Sequence, residues 1–186
     1  MGFLSMDGVS PARRVASAVV AVVLILIIGY LFGLRGMRFF LVPTGSMEPT
    51  LLRRDYIVSL TERTYHRGDI VVLRDPTEPG AYLVKRIVGM PGDILSIDGG
   101  ALFINDAYAS EPYILEPMMI SLNPPIEVPD GQIWVLGDNR NASEDSLTWG
   151  HGIYLDDVVG KVRFIYHPFS RMGSVVSYPL TNTEGG

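Results

Sequence analysis

Ser46 and Lys85 are two side chains whose types and surroundings could support a reaction together. Ser46 lies in a turn segment of sequence PTGSM, residues 43–47, ahead of an alternating apolar run. A serine hydroxyl is a poor nucleophile near neutral pH and needs a base within hydrogen-bond distance. Lys85 lies in the apolar run YLVKRIV, residues 82–88. Burial there would favour its uncharged form, which can accept the serine proton.

Histidine is the more usual base for a serine, but the sequence does not favour it here. The histidines lie in loops or at the end of a strand, with no carboxylate at a telling spacing: His66, His151 and His167. They show no paired spacing such as HExxH, and the chain has no cysteine, so neither a metal site nor a disulfide is indicated. We therefore expect no metal and no cofactor.

A third polar segment, GDNRNASEDSLTWG at residues 137–150, follows the apolar run QIWVL. On its own it could be a surface loop or be mistaken for a calcium-binding loop. The EF-hand spacing fails, because no helix flanks the segment and the closing glutamate is missing. The segment supplies hydroxyl and amide groups beside the end of a predicted strand, so it is the third candidate part of a site.

Together, the segments PTGSMEPTL, VKRIVGMPGD and GDNRNASEDSLTWG resemble, in this order, the bacterial-type signal peptidase I family. These are membrane-anchored serine proteases with a Ser-Lys dyad. The three segments in combination are specific for the family, although no single one is. The resemblance implies a mainly β fold, with an antiparallel sheet or barrel-like catalytic domain of the signal peptidase and LexA type after one transmembrane helix.

The resemblance also implies the roles of the site residues. Ser46 would be the nucleophile and Lys85 the general base. The Thr44 hydroxyl and the Ser46 backbone N–H would form the oxyanion hole, and Ser143 would hydrogen-bond the lysine amine and orient it. The chemistry agrees, because Gly45 lets the backbone bring both oxyanion donors to one side. An uncharged hydroxyl beside Lys85 also avoids the protonation that a carboxylate would favour.

The third segment departs from the family's commonest pattern. The family often has Asp-Asn before the serine and Arg after the Asp-Ser pair, where this chain has Asn-Ala at residues 141–142 and Leu147. The change removes a salt-bridge partner of Asp145. The pairs expected to support the site are therefore Arg86 with Asp138, and Arg140 with Asp145.

Family members cut secretory precursors after a small-x-small motif. Apolar residues close to the dyad in sequence could form shallow pockets around an extended peptide that adds to the sheet as a strand. The predicted substrate-binding residues are Phe40, Val42, Pro43, Met47, Leu51, Leu83 and Val84. The alternative is that these side chains are ordinary core residues.

Residues 15–34 form an apolar segment without a charge, and arginines flank both ends. At about 1.5 Å per residue, a helix of this length spans a bilayer core of roughly 30 Å. No small-x-small cleavage site follows, so we expect an uncleaved anchor rather than a signal peptide, with a helix in a soluble core as the alternative. The flanking charges do not decide its orientation.

Beyond the anchor, seven β-branched and aromatic runs predict an antiparallel β domain. They cover residues 56–60, 69–74, 82–88, 93–98, 101–106, 132–138 and 160–167. The predicted organisation is a cytoplasmic segment at 1–14, the anchor at 15–34, the catalytic domain at 35–180 with a loop-rich insertion at about 107–131, and a tail at 181–186.

The net charge of −5 argues against a nucleic-acid partner. The resemblance implies signal peptides and the lipid bilayer as partners, leaves the translocon open, and puts the catalytic domain on the extracytoplasmic side of the cytoplasmic membrane. Two alternatives remain. One is a membrane-tethered β module that binds peptides without cutting them. The other is a self-cleaving repressor-like Ser-Lys protease, which would need a DNA-binding N-terminal domain.

Overall fold

The computed structural model of the chain describes residues 10–30, 33 and 36–180. Two compact units divide between Met37 and Arg38. The first unit contains one described helix, and the second contains the described strands. The predicted tail at 181–186 and residues 1–9 of the predicted N-terminal segment lie outside the described residues.

Helix α1 spans Pro11–Gly29 and contains most of the apolar segment. Ser10 is its N-cap, and the Ser10 hydroxyl accepts a hydrogen bond from the Arg13 backbone amide at 3.4 Å. An 18-residue window of α1 has a mean hydropathy of 2.2, and none of it is buried within the protein. By length and composition, α1 can cross a membrane. It begins before the predicted start at residue 15.

The second unit is built from antiparallel strands. In the described part of the chain they are β1 Arg38–Leu41, β2 Tyr56–Leu60, β3 Ile70–Arg74, β4 Tyr82–Gly89, β5 Ile94–Asp98, β6 Ala101–Ile104, β7 Ala107–Tyr108, β8 Leu122–Glu127, β9 Gln132–Leu136, β10 Ile153–Tyr154, β11 Val158–His167 and β12 Gly173–Ser174. A short helix, α2, spans Ser146–Trp149.

The strands form two sheets. The larger has the order β1-β2-β11-β3-β4-β9-β10, with β12 paired to β11, and the smaller has the order β7-β6-β5-β8. In the larger sheet, β4 lies between β3 and β9, and residues 70–73 of β3 are all buried. Because both faces of its centre are covered, these strands lose the simple alternation of buried and exposed residues.

The predicted fold class is confirmed: the second unit is mainly antiparallel β and follows an apolar helix. Each of the seven predicted strands is present, with ends that agree to within two residues. The segment at 107–131 is more regular than a loop-rich insertion, because it contains β7 and β8 of the smaller sheet. Strand β8 escaped prediction because its sequence LNPPIE contains two prolines, which are tolerated on an edge strand.

Candidate active site

The segment that carries Ser46 is held by buried neighbours on both sides. It leaves the end of β1, and Val42 exchanges backbone hydrogen bonds of 2.9 Å with Asp55 and Arg54. Met47 and Leu51 are 1% and 0% exposed and pack into a core cluster with Val42. These apolar anchors fix the turn that presents the Ser46 hydroxyl.

Lys85 lies in the middle of β4, where it pairs with Val71 of β3, and only 2% of it is exposed. Its Nζ atom donates a hydrogen bond to Ser46 Oγ at 3.0 Å. The structure therefore brings together the two residues that the sequence nominates as base and nucleophile, although they are 39 positions apart.

Burial lowers the pKa of Lys85 below its ordinary value. The carboxylates of Asp145, Glu144, Asp75 and Asp138 oppose the shift, but the desolvation of the amine outweighs them. In the described part of the chain, none of these carboxylates is hydrogen-bonded to Nζ. The lysine is thus held in surroundings that favour the neutral amine, the form that can accept a proton from Ser46.

Arg86, the next residue in β4, points to the opposite face of the sheet, as alternation requires. Its guanidinium donates to both oxygens of Asp138, at 2.8 and 2.7 Å, and to the Gly68 carbonyl at 2.7 Å. Both side chains of the ion pair are 0% exposed. Thr50 also donates its hydroxyl to Asp138. The expected Arg86–Asp138 pair is therefore present, and it reaches the segment that carries the nucleophile.

Thr44 and the backbone of Ser46 supply donors beside the reactive hydroxyl. Thr44 Oγ1 lies 3.2 Å from Ser46 Oγ, and Thr44 is exposed. Within the described residues, no acceptor is hydrogen-bonded to the Ser46 backbone N–H. A free N–H and a hydroxyl next to a nucleophile are the donors that a developing oxyanion requires.

The third segment packs against the nucleophile through Gly137 and Asn139. A Cβ atom at Gly137 would lie 2.3 Å from Ser143 Oγ and 2.5 Å from the Ser46 carbonyl oxygen, so only glycine fits. The Asn139 backbone amide donates to the Ser46 carbonyl at 3.0 Å, and its side-chain amide donates to the Gly45 carbonyl at 3.2 Å. These contacts fix the turn from the side opposite its apolar anchors.

The structure does not form the predicted hydrogen bond between Ser143 and Lys85. Ser143 Oγ is buried and has no hydrogen-bond partner among the described residues. It packs close to Gly137, beside the Ser46 carbonyl. The residue thus lies at the site as expected, but its hydroxyl makes no hydrogen bond to the Lys85 amine or to any other group in the described part of the chain.

The family model for signal peptidase, peptidase S26, matches residues 13–167. The chain belongs to this family. A probable signal peptidase I-1 of Synechocystis sp. is 35% identical over 159 residues, which cover 76% of this chain and 80% of that relative. Signal peptidase I U of Bacillus subtilis is 33% identical over 177 residues, which cover 86% and 92%. Thylakoidal processing peptidase 1 of Arabidopsis thaliana is 34% identical over 158 residues, which cover 77% of this chain and 46% of that relative.

The chain is thus a serine endopeptidase of the signal peptidase I type that removes signal peptides. The family match covers all but the first two residues of α1 and the strands from β1 to β11, and it disfavours the self-cleaving repressor alternative. In the described part of the peptidase, no group of three or more His, Cys, Asp or Glu side chains is arranged to hold a metal ion.

The predicted pairing of Arg140 with Asp145 in the peptidase is wrong. Arg140 forms its ion pair with Glu111, at 2.7 Å from NH1 to Oε2, and its Nε donates to the Gly137 carbonyl at 3.0 Å. Burial alone would lower the pKa of Arg140, but the hydrogen bonds and charge of Glu111 raise it. Asp145 instead caps α2 and accepts from the Gly137 N–H at 2.9 Å. Backbone N–H groups of Gly137 and Leu147 donate to the Asp145 carboxylate, so this carboxylate needs no arginine partner.

The predicted substrate-binding residues divide into three groups. Val42, Met47 and Leu51 are at most 2% exposed and belong to the core of the peptidase. Phe40 and Val84 pack against the same cluster but are only half-buried, and Pro43 is exposed. Leu83 packs against a different core cluster, the one that contains Ile87.

The three histidines of the peptidase are exposed, and none is hydrogen-bonded to the dyad in the described residues. His151 contacts the Gly152 carbonyl, and His167 stacks edge-on against Tyr56. Four further residues whose contacts support the site were not predicted from the sequence, namely Thr50, Glu111, Gly137 and Asn139. Three of them lie inside the segments quoted above, whereas Glu111 lies in a proline-rich stretch without periodicity.

Proposed function

We propose that the peptidase cleaves exported preproteins after a small-x-small motif, with Ser46 as nucleophile and Lys85 as general base. The observation that carries this assignment is the 3.0 Å contact between the buried Lys85 amine and Ser46 Oγ. It puts a desolvated base in reach of the hydroxyl that it must deprotonate.

In the proposed mechanism, neutral Lys85 accepts the hydroxyl proton while Ser46 Oγ forms a bond to the scissile carbonyl carbon. The negative charge on the carbonyl oxygen is stabilised by the Ser46 N–H and the Thr44 hydroxyl. The Lys85 ammonium then gives its proton to the leaving amine, and the C–N bond breaks. Lys85 then deprotonates a water molecule, which attacks the ester carbonyl; the bond from the acyl carbon to Ser46 Oγ breaks, and the Lys85 ammonium returns the proton to Ser46 Oγ.

The strand edges beside the dyad support the proposal that the substrate binds in an extended conformation. Strand β3 pairs with residues 82–86 of β4, but β9 pairs with β4 only from Arg86 onward. Strand β1 lies at the end of the larger sheet and pairs with β2. The rings of Phe40 in β1 and Tyr82 in β4 have centroids 5.3 Å apart. A signal peptide that adds as a strand at these edges would lie over half-buried Phe40 and Val84, where small side chains fit best.

We further propose the bilayer as a partner, with α1 as the anchor in the cytoplasmic membrane and the β domain on the extracytoplasmic side. Exposed apolar and aromatic residues on β1, β2 and the segment after β11 support a contact with the lipid interface, because aromatic rings favour that depth. They include Leu41, Tyr56, Phe169 and Met172, which are 49%, 37%, 79% and 48% exposed. The translocon stays an untested partner.

The test of the proposed function is cleavage of a preprotein by the full chain in detergent, with N-terminal sequencing of the product. We expect one cut after the second alanine of an Ala-x-Ala site. A precursor with leucine at that position is the matched control and should stay intact, as should the Ala-x-Ala precursor with the Ser46→Ala variant. Tight binding of an uncut precursor would instead support the peptide-binding module.

The orientation can be tested separately because the chain has no cysteine. A single cysteine at exposed Ser110 should react with a membrane-impermeant thiol reagent added to intact spheroplasts. Labelling only after the cells are broken would place the domain on the cytoplasmic side and overturn the proposed topology.

A further inference from the structure

The Gly137 peptide occupies a central position in the site. Its α-carbon lies against both the Ser46 carbonyl and the Ser143 hydroxyl, since a Cβ there would be 2.5 and 2.3 Å from them. Asn139, which follows two residues later, holds the carbonyls of Gly45 and Ser46. A shift of this backbone would therefore move the nucleophile directly.

Two side chains hold the Gly137 backbone. Its N–H donates to Asp145 Oδ2 at 2.9 Å, and its carbonyl accepts from Arg140 Nε at 3.0 Å. Asp145 belongs to the third segment, as Gly137 does, and it caps α2. Arg140 is different, because its own position depends on a residue outside the third segment.

Glu111 fixes Arg140 from the segment that follows β7. The guanidinium donates to both carboxylate oxygens, with NH1 to Oε2 at 2.7 Å, and the Tyr113 hydroxyl donates to Oε1 at 2.8 Å. The side chains of Arg140 and Glu111 are 1% and 4% exposed. A buried bidentate ion pair of this kind fixes both the position and the orientation of the guanidinium plane.

Further hydrogen bonds bind the rest of the segment at 111–119 to the third segment. The Leu115 amide donates to the Asp138 carbonyl at 3.2 Å, and the Met119 amide donates to Asn141 Oδ1 at 2.9 Å. Asn141 Nδ2 in turn donates to the side chain of Glu116 and the carbonyl of Pro117. The chain between β7 and β8 of the smaller sheet therefore wraps the turn that holds Ser46.

We propose that Glu111 is a positioning residue for catalysis, acting through Arg140 and the Gly137 carbonyl on the placement of Ser46. The inference rests on the proposed function, because it assigns Glu111 to the reaction that Ser46 performs. Its consequence is that the segment between β7 and β8 of the smaller sheet contributes to catalysis without touching the substrate. Misplacement of a reacting group by about 1 Å can cost a hundredfold in rate.

The test compares Glu111→Gln with Asp93→Asn in the full chain. Asp93 is a matched control: it is buried and accepts two hydrogen bonds from the Arg67 guanidinium, and among the described residues it has no hydrogen bond to the dyad or the third segment. Glu111→Gln should lower kcat by about tenfold to a hundredfold with KM within about twofold. Asp93→Asn should leave kcat within about twofold at equal or greater loss of thermal stability.

A second readout does not depend on activity. Hydrogen exchange of the amides of residues 137–139 should become faster in Glu111→Gln and stay unchanged in Asp93→Asn. If wild type fails to cut precursor, the proposed function fails, and this exchange experiment still decides whether Glu111 holds the Gly137 backbone. Equal kcat losses in the two variants, or unchanged exchange in Glu111→Gln, would overturn it.

Tyr113→Phe is the milder variant for the case in which Glu111→Gln does not fold. It removes the hydrogen bond from the Tyr113 hydroxyl to Glu111. It keeps the ring, whose centroid lies 3.8 Å from Arg86 Cζ. We expect the effect to fall on kcat and not on KM, as for Glu111→Gln, with kcat reduced by about twofold to tenfold and KM unchanged. A Tyr113→Phe enzyme with the kcat of wild type and unchanged exchange at residues 137–139 would contradict the proposal.

Discussion

Lys85 and Arg86 are adjacent in β4 and both are buried, but their partners are of opposite kinds. Arg86 is paired with the carboxylate of Asp138, whereas Lys85 contacts the uncharged hydroxyl of Ser46. Alternation along the strand separates them, so that the guanidinium lies beside a carboxylate and the amine is held where its neutral form is favoured.

Replacing Lys85 with methionine should abolish cleavage and stabilise the fold at pH 7. Methionine fills a similar volume, and it removes an amine whose ionised form the interior disfavours. Each kcal/mol gained should raise Tm by about 2–4 °C. The chain offers one matched control, Lys161→Met. Lys161 is paired with buried Asp69, so its loss should destabilise the protein while cleavage persists.

Thermal unfolding and precursor cleavage, measured on the same preparations, check this pair. Retained cleavage in Lys85→Met would remove Lys85 from the mechanism. A lower Tm in Lys85→Met than in wild type would show that the amine is better accommodated than its burial indicates.

Both activity and stability should rise with pH because the pKa of Lys85 is lowered in the folded state. Between the folded pKa and the unfolded value of about 10.4, the unfolded chain binds more protons. Folding is therefore penalised most below the folded pKa, and the penalty disappears as the pH approaches the unfolded value. The difference in unfolding free energy between Lys85→Met and wild type should shrink accordingly.

Denaturant unfolding of both proteins from pH 6 to 9.5 measures that difference, and kcat/KM over the same range measures the titration of the base. A flat kcat/KM profile from pH 6 to 9 would count against a lysine base. So would a stability difference that does not change with pH.

Gly137→Ala should destabilise the domain and inactivate it, because the new Cβ would lie 2.3 Å from Ser143 Oγ and 2.5 Å from the Ser46 carbonyl. Overpacking of this kind typically costs about 1–3 kcal/mol. Gly173→Ala is the control, since a Cβ there meets nothing within 4 Å. Circular dichroism melts and cleavage rates distinguish the two, and an active Gly137→Ala enzyme would show that the turn can move away.

The sequence predicts the parts of the fold and site that depend on local pattern. Strands such as β2 and β4 follow from runs of β-branched residues, and the dyad follows from residue types within three short segments. The contact of Arg140 with Glu111 spans 29 positions and begins in a proline-rich stretch, so nothing local indicates it. The sequence also gives no sign that the Ser143 hydroxyl lacks a hydrogen-bond partner among the described residues, because a side-chain partner depends on packing that only the folded chain defines.

Thr44→Val should lower kcat by about 10²–10³ and leave KM and stability nearly unchanged. Valine keeps the shape of threonine but lacks the donor, and Thr44 is exposed, so little packing is lost. Thr44→Ser keeps a hydroxyl within reach of Ser46 Oγ and should retain most of the activity. Steady-state kinetics of the two variants check the assignment, and equal rates for valine and serine would exclude Thr44 from the oxyanion hole.

Ser143→Ala should leave the stability unchanged or raise it by about 1 kcal/mol, because the buried hydroxyl makes no hydrogen bond among the described residues. If the hydroxyl contacts the Lys85 amine during the reaction, kcat should still fall by about tenfold or more. Ser59→Ala is the matched control: Ser59 is 0% exposed, and its hydroxyl also has no partner among the described residues. It should show the same stability effect with full activity, so equal kcat values for the two alanine variants would assign Ser143 a packing role alone.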